Sequence, residues 1–200
     1  MRKILKRTLD LILALTAGLL LLPLMMLIAM LIRLETRGPA LFVQKRLGLG
    51  GSIFPMLKFR TMVQNAEKMG TGLFSYKADP RITRVGRFLR QTSLDELPQI
   101  INVMKGAMSV VGPRPPVTYE LGNYADFSND LKLRFTVKPG ITGLAQVNGR
   151  NELNWDRKLV YDTEYIHKYH AYGITYDLYI ILKTIWVVLS MRSVIEKPTN

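Results

Sequence analysis

Residues 11–32 form an uncharged, mostly aliphatic run between two basic flanks, and no other feature restricts the fold of this chain as much. The run is close to the ~20 residues with which a helix crosses the hydrocarbon of a bilayer, so it is expected to be embedded in a membrane. A secretory signal peptide fits less well, because the run is longer than the usual apolar region and has no small-x-small cleavage pattern before Arg33. Arg2, Lys3, Lys6 and Arg7 precede it, and Arg33, Arg37, Lys45 and Arg46 follow. A simple span would carry one of these clusters across the membrane, against the tendency of short basic flanks to stay cytoplasmic. Pro23, near the middle, lacks an amide donor and clashes with the preceding turn, so a kink is expected there. An ordinary kinked span remains the alternative. Charge symmetry favours a re-entrant helix over residues 1–34, with a cytoplasmic-face domain over residues 35–200.

The remaining length is enough for one domain with its own core. A formal charge of +13 implies an anionic partner, whether nucleic acid, an acidic membrane or a phosphorylated small molecule. The absence of cysteine excludes thiolate catalysis, Cys-ligated zinc and disulfides.

After Gly38-Pro39, residues 40–43 read as a short strand, and a glycine-rich turn at Gly48, Gly50 and Gly51 leads into an extended segment over residues 53–61. Lys58 and Arg60 in that segment are candidates to hold phosphate, with solvated or membrane-facing positions as the alternative. Residues 64–80 read as a polar loop over the site. Neither the phosphate-loop nor the dinucleotide glycine pattern is present. Residues 81–92 form an amphipathic helix, with Val85, Phe88 and Leu89 on one face and Arg87 and Arg90 on the other. Arg90 leads directly into the next motif, which makes it a candidate anion contact.

That motif is Ser93-Leu94-Asp95-Glu96-Leu97-Pro98-Gln99. It reads as a helix start, with Ser93 as N-cap and Glu96 as its capping-box partner. Helical spacing buries Leu94, Leu97, Ile100, Ile101 and Met104 and places Asp95, Gln99 and Asn102 opposite. Asp95, near the positive helix end, is expected to stay ionised, which suits a nucleophile or a ligand for a hard cation. Glu96 is expected to accept a proton if its surroundings raise its pKa. Ordinary first-turn capping accounts for both residues equally well.

The basic flank and apolar run with Pro23, Lys58-Phe59-Arg60-Thr61-Met62, the Ser93 to Gln99 stretch, Val111-Gly112-Pro113-Arg114-Pro115, Lys138-Pro139-Gly140-Ile141-Thr142-Gly143 and Gln146-Val147-Asn148-Gly149-Arg150 occur in this order. Together they resemble the bacterial sugar transferase family, the monotopic phosphoglycosyl transferases, over nearly the whole chain. The resemblance implies transfer of a sugar-1-phosphate from a UDP-sugar to undecaprenyl phosphate, with release of UMP and a need for Mg2+, at the cytoplasmic face of the bacterial inner membrane. It implies Asp95 as covalent nucleophile and magnesium contact and Glu96 as its catalytic partner. Lys58, Arg90 and Arg114 are implied as phosphate contacts, and Gln146 and Arg150, in the glycine-rich loop, as further substrate contacts beside the candidate Arg60. The sequence departs from many relatives at Leu22, where serine is common, and at Leu144, where tryptophan is.

The fold expected is mostly α with a few short strands: an N-terminal re-entrant membrane helix kinked at Pro23, and interfacial amphipathic helices around a small catalytic domain. Pro113 to Pro116 should form a rigid corner that fixes Arg114. Residues 119–132 have a helical pattern. His167 and His170 lack a matching third metal ligand. The apolar stretch over residues 176–191 is short for a span and contains Lys183, so an interfacial or core-packing helix is expected. The partners implied are a UDP-sugar, undecaprenyl phosphate and an anionic phospholipid bilayer. No nucleic-acid module is evident, and a homodimer is compatible with this pattern. The alternatives are a membrane-tethered protein binding anionic lipid or nucleic acid, and an inactive scaffold.

Overall fold

A computed structural model describes residues 2–69, 79–149 and 153–190. The apolar run lies within one helix, α1 (Arg2–Glu35), with Pro23 inside it, about 50 Å long at the usual rise per residue. Asp10, Ala14, Ile28 and Ile32 are its buried residues, and Ala17, Leu21, Met25 and Ala29 pack beside them, so one stripe at i, i+3 and i+4 spacing faces the rest of the protein. The other faces are apolar and exposed, including Leu19, Leu20, Leu22, Met26 and Leu27 on either side of Pro23.

Both ends of α1 are tied to the same body. At its start, Arg2 donates to the carbonyl of His170, Lys6 pairs with Asp177 at 2.6 Å, and Arg7 donates to the carbonyls of Val103 and Met104. At its end, the Glu35 carboxylate accepts from the backbone amides of Arg84 and Val85 at 2.6 and 3.0 Å.

Strands β1 (Leu41–Leu47) and β2 (Ile53–Phe59) form an antiparallel hairpin in which Leu41 pairs with Phe59 and Leu47 with Ile53. Alternation puts Gln44 and Arg46 on the same face as Phe54, Met56 and Lys58. Phe54 and Met56 bury themselves with Ala14, Ile100, Val103 and Met108. Phe59, on the other face, joins Ile28, Ile32 and Leu89. Helix α2 (Arg84–Thr92) starts on the N-cap hydroxyl of Thr83, and α3 (Gln99–Met104) follows the acidic motif. Short strands β3 (Ser109–Val111) and β4 (Gly140–Thr142) are parallel neighbours. Helices α4 (Asn129–Leu133), α5 (Leu144–Asn148), α6 (Trp155–Tyr172) and α7 (Ile174–Leu189) complete the body, with Tyr165, Ile166, Tyr169, Ile180 and Val187 in one cluster.

The mostly helical fold with few short strands agrees with expectation. Helix α7 packs Ile180 and Val187 inward and leaves Leu178, Leu182, Ile185 and Leu189 exposed along one stripe beside Tyr179 and Trp186. Residues 119–132 contain mainly turns, a 3-10 turn at Tyr124–Asp126 and the start of the short α4, rather than one helix. Phe88 is exposed, so the buried face of α2 is carried by Gly86 and Leu89.

Candidate active site

The acidic motif does not begin an α-helix. Ser93 adopts a left-handed conformation (φ 60°) that ends α2, and residues Leu94–Glu96 then form a single 3-10 turn. Left-handed backbone is uncommon for a non-glycine residue and here reverses the chain sharply before the two carboxylates. The Ser93 hydroxyl accepts no cap hydrogen bond, so the expected capping box is absent. The carboxylate of Glu96 is engaged elsewhere: it accepts from Lys58 Nζ at 3.1 Å and from Arg114 Nη2 and Nη1 at 2.5 and 3.2 Å. Gln99 and Asn102 are also buried rather than facing outward. Asn102 explains its own burial, because its side-chain amide accepts from Leu57 N and donates to the Pro55 carbonyl and so locks α3 to β2.

Each cation reaches the site by a different route. Lys58 arrives on the inner face of the hairpin, one alternation beyond buried Met56. Arg90 is set by the close approach of α2 to the end of β2. A Cβ at Gly86 would lie 2.0 Å from the Thr61 carbonyl oxygen, so only glycine lets these backbones touch. One turn later, Arg90 Nε donates to Thr61 Oγ1 at 2.9 Å. Arg114 follows β3 in the Pro113–Pro116 corner, where Gly112 permits the same kind of approach to the Lys138 carbonyl.

Burial alone would raise the Glu96 carboxyl, but the charges and hydrogen bonds of Arg114 and Lys58 outweigh it and hold Glu96 well below the usual carboxylate range. Glu96 in turn raises the Arg114 guanidinium, whereas burial lowers Lys58. Asp95 is half-buried and behaves oppositely: burial and then the neighbouring Glu96 charge raise its pKa, with Lys58, Arg114 and Arg90 pulling it back. The expectation for Glu96 is therefore corrected, because its surroundings lower its pKa rather than raise it. Glu96 is the clamped carboxylate held ionised by its cations, and Asp95 is the one whose proton affinity rises, through burial and the adjacent Glu96 charge. Among the described residues, no side chain or amide donates a hydrogen bond to the Asp95 carboxylate, which leaves its oxygens available.

Arg60 does not join the cluster. It is buried, and its guanidinium donates to the Thr36 carbonyl and hydroxyl and to the Arg37 carbonyl, fastening β2 to the end of α1. The strand ends at Phe59, so alternation no longer aims Arg60 alongside Lys58. Gln146 is buried on α5 and makes no side-chain hydrogen bond to a described residue. Arg150 lies outside the described residues.

Arg46 was missing from the expected set. It shares the hairpin face of Lys58, is held by Gln44 Oε1 and donates to the Pro115 carbonyl at 2.9 Å. Burial, and then Arg114, lower its pKa to about 10. Its signal was the Gln44-x-Arg46 spacing, which puts both side chains on one face of a strand. Four cations, Arg46, Lys58, Arg90 and Arg114, thus surround two carboxylates, an excess of positive charge suited to a polyanion.

The bacterial sugar transferase family matches residues 1–191. The chain belongs to that family. Its relatives include the undecaprenyl-phosphate galactose phosphotransferase of Salmonella typhimurium, 40% identical over 94% of this chain and 41% of that protein. The UDP-glucose:undecaprenyl-phosphate glucose-1-phosphate transferase of Escherichia coli is 40% identical over 92% of this chain and 40% of that protein. The exopolysaccharide production protein ExoY of Sinorhizobium fredii is 37% identical over 94% of this chain and 86% of its own length. The chain thus spans about two-fifths of the first two of these sugar transferases and most of the third.

Proposed function

We propose that this sugar transferase moves a sugar-1-phosphate from a UDP-sugar to undecaprenyl phosphate. The observation that carries the proposal is the Asp95 carboxylate, which accepts no hydrogen bond from the described residues and is bordered by Lys58, Arg90 and Arg114, with Glu96 holding two of those cations in place. An Asp95 oxygen attacks the sugar-proximal phosphorus. The bond to the bridging oxygen breaks, UMP leaves with that oxygen, and a phosphosugar remains on Asp95. A phosphate oxygen of undecaprenyl phosphate then attacks the same phosphorus and regenerates the carboxylate. Arg114 and Lys58 neutralise the phosphate charge that would otherwise repel Asp95, and Arg90 and Arg46 add to the same field. Glu96, already ionised and clamped, orients these cations in this scheme rather than shuttling a proton.

No group of three His, Asp or Glu side chains suited to a metal occurs among the described residues. A Mg2+ ion typically takes one or two carboxylates and completes its shell with water and substrate phosphates, and the Asp95 carboxylate fits that donor set. Bound there, it would supply charge neutralisation of the pyrophosphate.

The attachment of both ends of α1 to one body supports a re-entrant or in-plane helix, with both basic flanks at the cytoplasmic face of the inner membrane. A transmembrane crossing would separate Lys6 from Asp177 or Glu35 from α2. The exposed leucines around Pro23 and the outer stripe of α7 then face lipid, and the basic flanks meet anionic headgroups. In this topology a lipid-borne phosphate approaches Asp95 from the headgroup level. Reaction with an impermeant thiol reagent from outside the cell at a cysteine replacing Arg2 would count against that topology.

The activity is tested by incubating nanodisc-held protein with Mg2+ and a panel of UDP-sugars. UMP release and a phosphosugar mass adduct are expected, and both should vanish in Asp95→Asn. An Asp95→Asn protein with full turnover would remove Asp95 from the role of nucleophile.

A further inference from the structure

Residues 113–116 read Pro-Arg-Pro-Pro, so three of the four lack an amide and the corner is held mainly through its carbonyls. All four carbonyls are engaged. Pro113 accepts from Gly140 N at 3.0 Å, Arg114 from Arg134 Nη2 at 2.7 Å, Pro115 from Arg46 Nη1 at 2.9 Å and Pro116 from Leu47 N at 3.1 Å. The bond to Arg114 itself thus comes from a side chain that is only 4% exposed.

Arg134 follows α4 and is gripped from several sides. Its guanidinium lies 5.0 Å from the Trp155 ring centre and 5.5 Å from that of Phe135, and Nη2 is 3.0 Å from Asp162 Oδ2. Asp162 is itself buried on α6. A buried ion pair is a poor means of stabilising a fold, because desolvation offsets the attraction. Here the cost is raised further, since Arg134 Nε and Nη1 are buried without acceptors among the described residues. The arrangement does supply a rigid, planar donor on the carbonyl of the residue whose guanidinium grips Glu96.

We propose that Arg134 is a positioning residue: braced by Asp162 and Trp155, it fixes the Arg114 backbone so that the Arg114 side chain is aimed at Glu96 and the reacting phosphate. The inference rests on the reading of Asp95, Glu96 and Arg114 as the reaction site. It predicts that Arg134 acts through Arg114, which a purely structural residue would not do.

The test is a double-mutant cycle in nanodiscs, reading kcat/KM for UMP release alongside the melting midpoint. Arg134→Lys keeps a cation near Asp162 but loses the planar fork, and it should lower kcat/KM about tenfold to a hundredfold, mostly in kcat. In an Arg114→Ala background the same change should cost less than about twofold, because there is no side chain left to aim. Equal losses in both backgrounds would overturn the proposal, as would loss of cooperative melting in Arg134→Lys. If the wild-type protein releases no UMP from any UDP-sugar, the proposed function fails, and Arg134 is judged by amide exchange instead. Faster exchange of Gly112, Arg114 and Val117 in Arg134→Lys at unchanged melting would support it, and unchanged exchange would overturn it.

Discussion

Arg114 meets Glu96 through two nitrogens, Nη2 on Oε1 at 2.5 Å and Nη1 on Oε2 at 3.2 Å, while Lys58 shares Oε1 at 3.1 Å. One carboxylate thus holds two cations that arrive from different parts of the chain. Glu96→Gln keeps the shape and removes the charge, so both cations lose their common anchor. Turnover should fall about a hundredfold through misplacement of these groups, with a much smaller change in KM. Steady-state kinetics with a UDP-sugar will show this, and a change confined to KM would contradict the orienting role.

Arg60 should behave differently from its neighbour Lys58. Its three hydrogen bonds all go to residues 36 and 37 at the end of α1, so Arg60→Ala is expected to lower the melting midpoint and leave the KM for UDP-sugar nearly unchanged. Lys58→Ala should do the reverse, lowering kcat/KM with a smaller change in melting. Parallel melting and kinetic measurements on the two variants separate the roles.

Gly86→Ala places a methyl group against the backbone of Thr61. Forcing α2 away from β2 should cost about 2 kcal/mol, the range for overpacking, and lower the melting midpoint by roughly 4–8 °C for a protein of this size. Because Arg90 is carried on the same helix, activity should drop as well, even at temperatures where the variant is fully folded.

Two carboxylates, Glu96 and Asp162, should shape stability in opposite directions with pH. The folded pKa of Glu96 is depressed, so its contribution is present above the ordinary glutamate value and is lost as pH falls through the folded one. Burial pushes Asp162 up to about 6, with Arg134 only partly offsetting this, so its contribution is present below about pH 4 and is lost as pH rises through 6. Denaturant unfolding across pH 3–7 should show a shallower acid limb in Glu96→Gln. In Asp162→Asn, the decline between pH 4 and 6 should disappear.

Local pattern made much of the fold legible. The apolar run became one long helix, alternation marked the hairpin that carries Lys58, and proline density marked the rigid corner at Arg114. The acidic motif was visible as a motif, but its geometry was not. Helical spacing predicted Gln99 and Asn102 outward and a capping box at Ser93, whereas Asn102 found backbone partners in β2 and Glu96 found cations with which to bury itself. Arg60 was misplaced because the motif Lys58-Phe59-Arg60 suggests one face, and the strand stops between the two residues.

By itself, the sequence determined which segments are apolar, where the chain must turn and which charged groups are available, because these depend on neighbours within a few residues. Only the tertiary structure decided which charges meet. Lys58 lies 38 positions from Glu96, and Arg114 lies 18 on its other side. Asp95 and Glu96, adjacent in the chain and alike in chemistry, differ through their contacts: among the described residues only Glu96 is clamped by cations. Burial raises both carboxyls, and the charges of Arg114 and Lys58, brought in from distant parts of the chain, bring Glu96 back down.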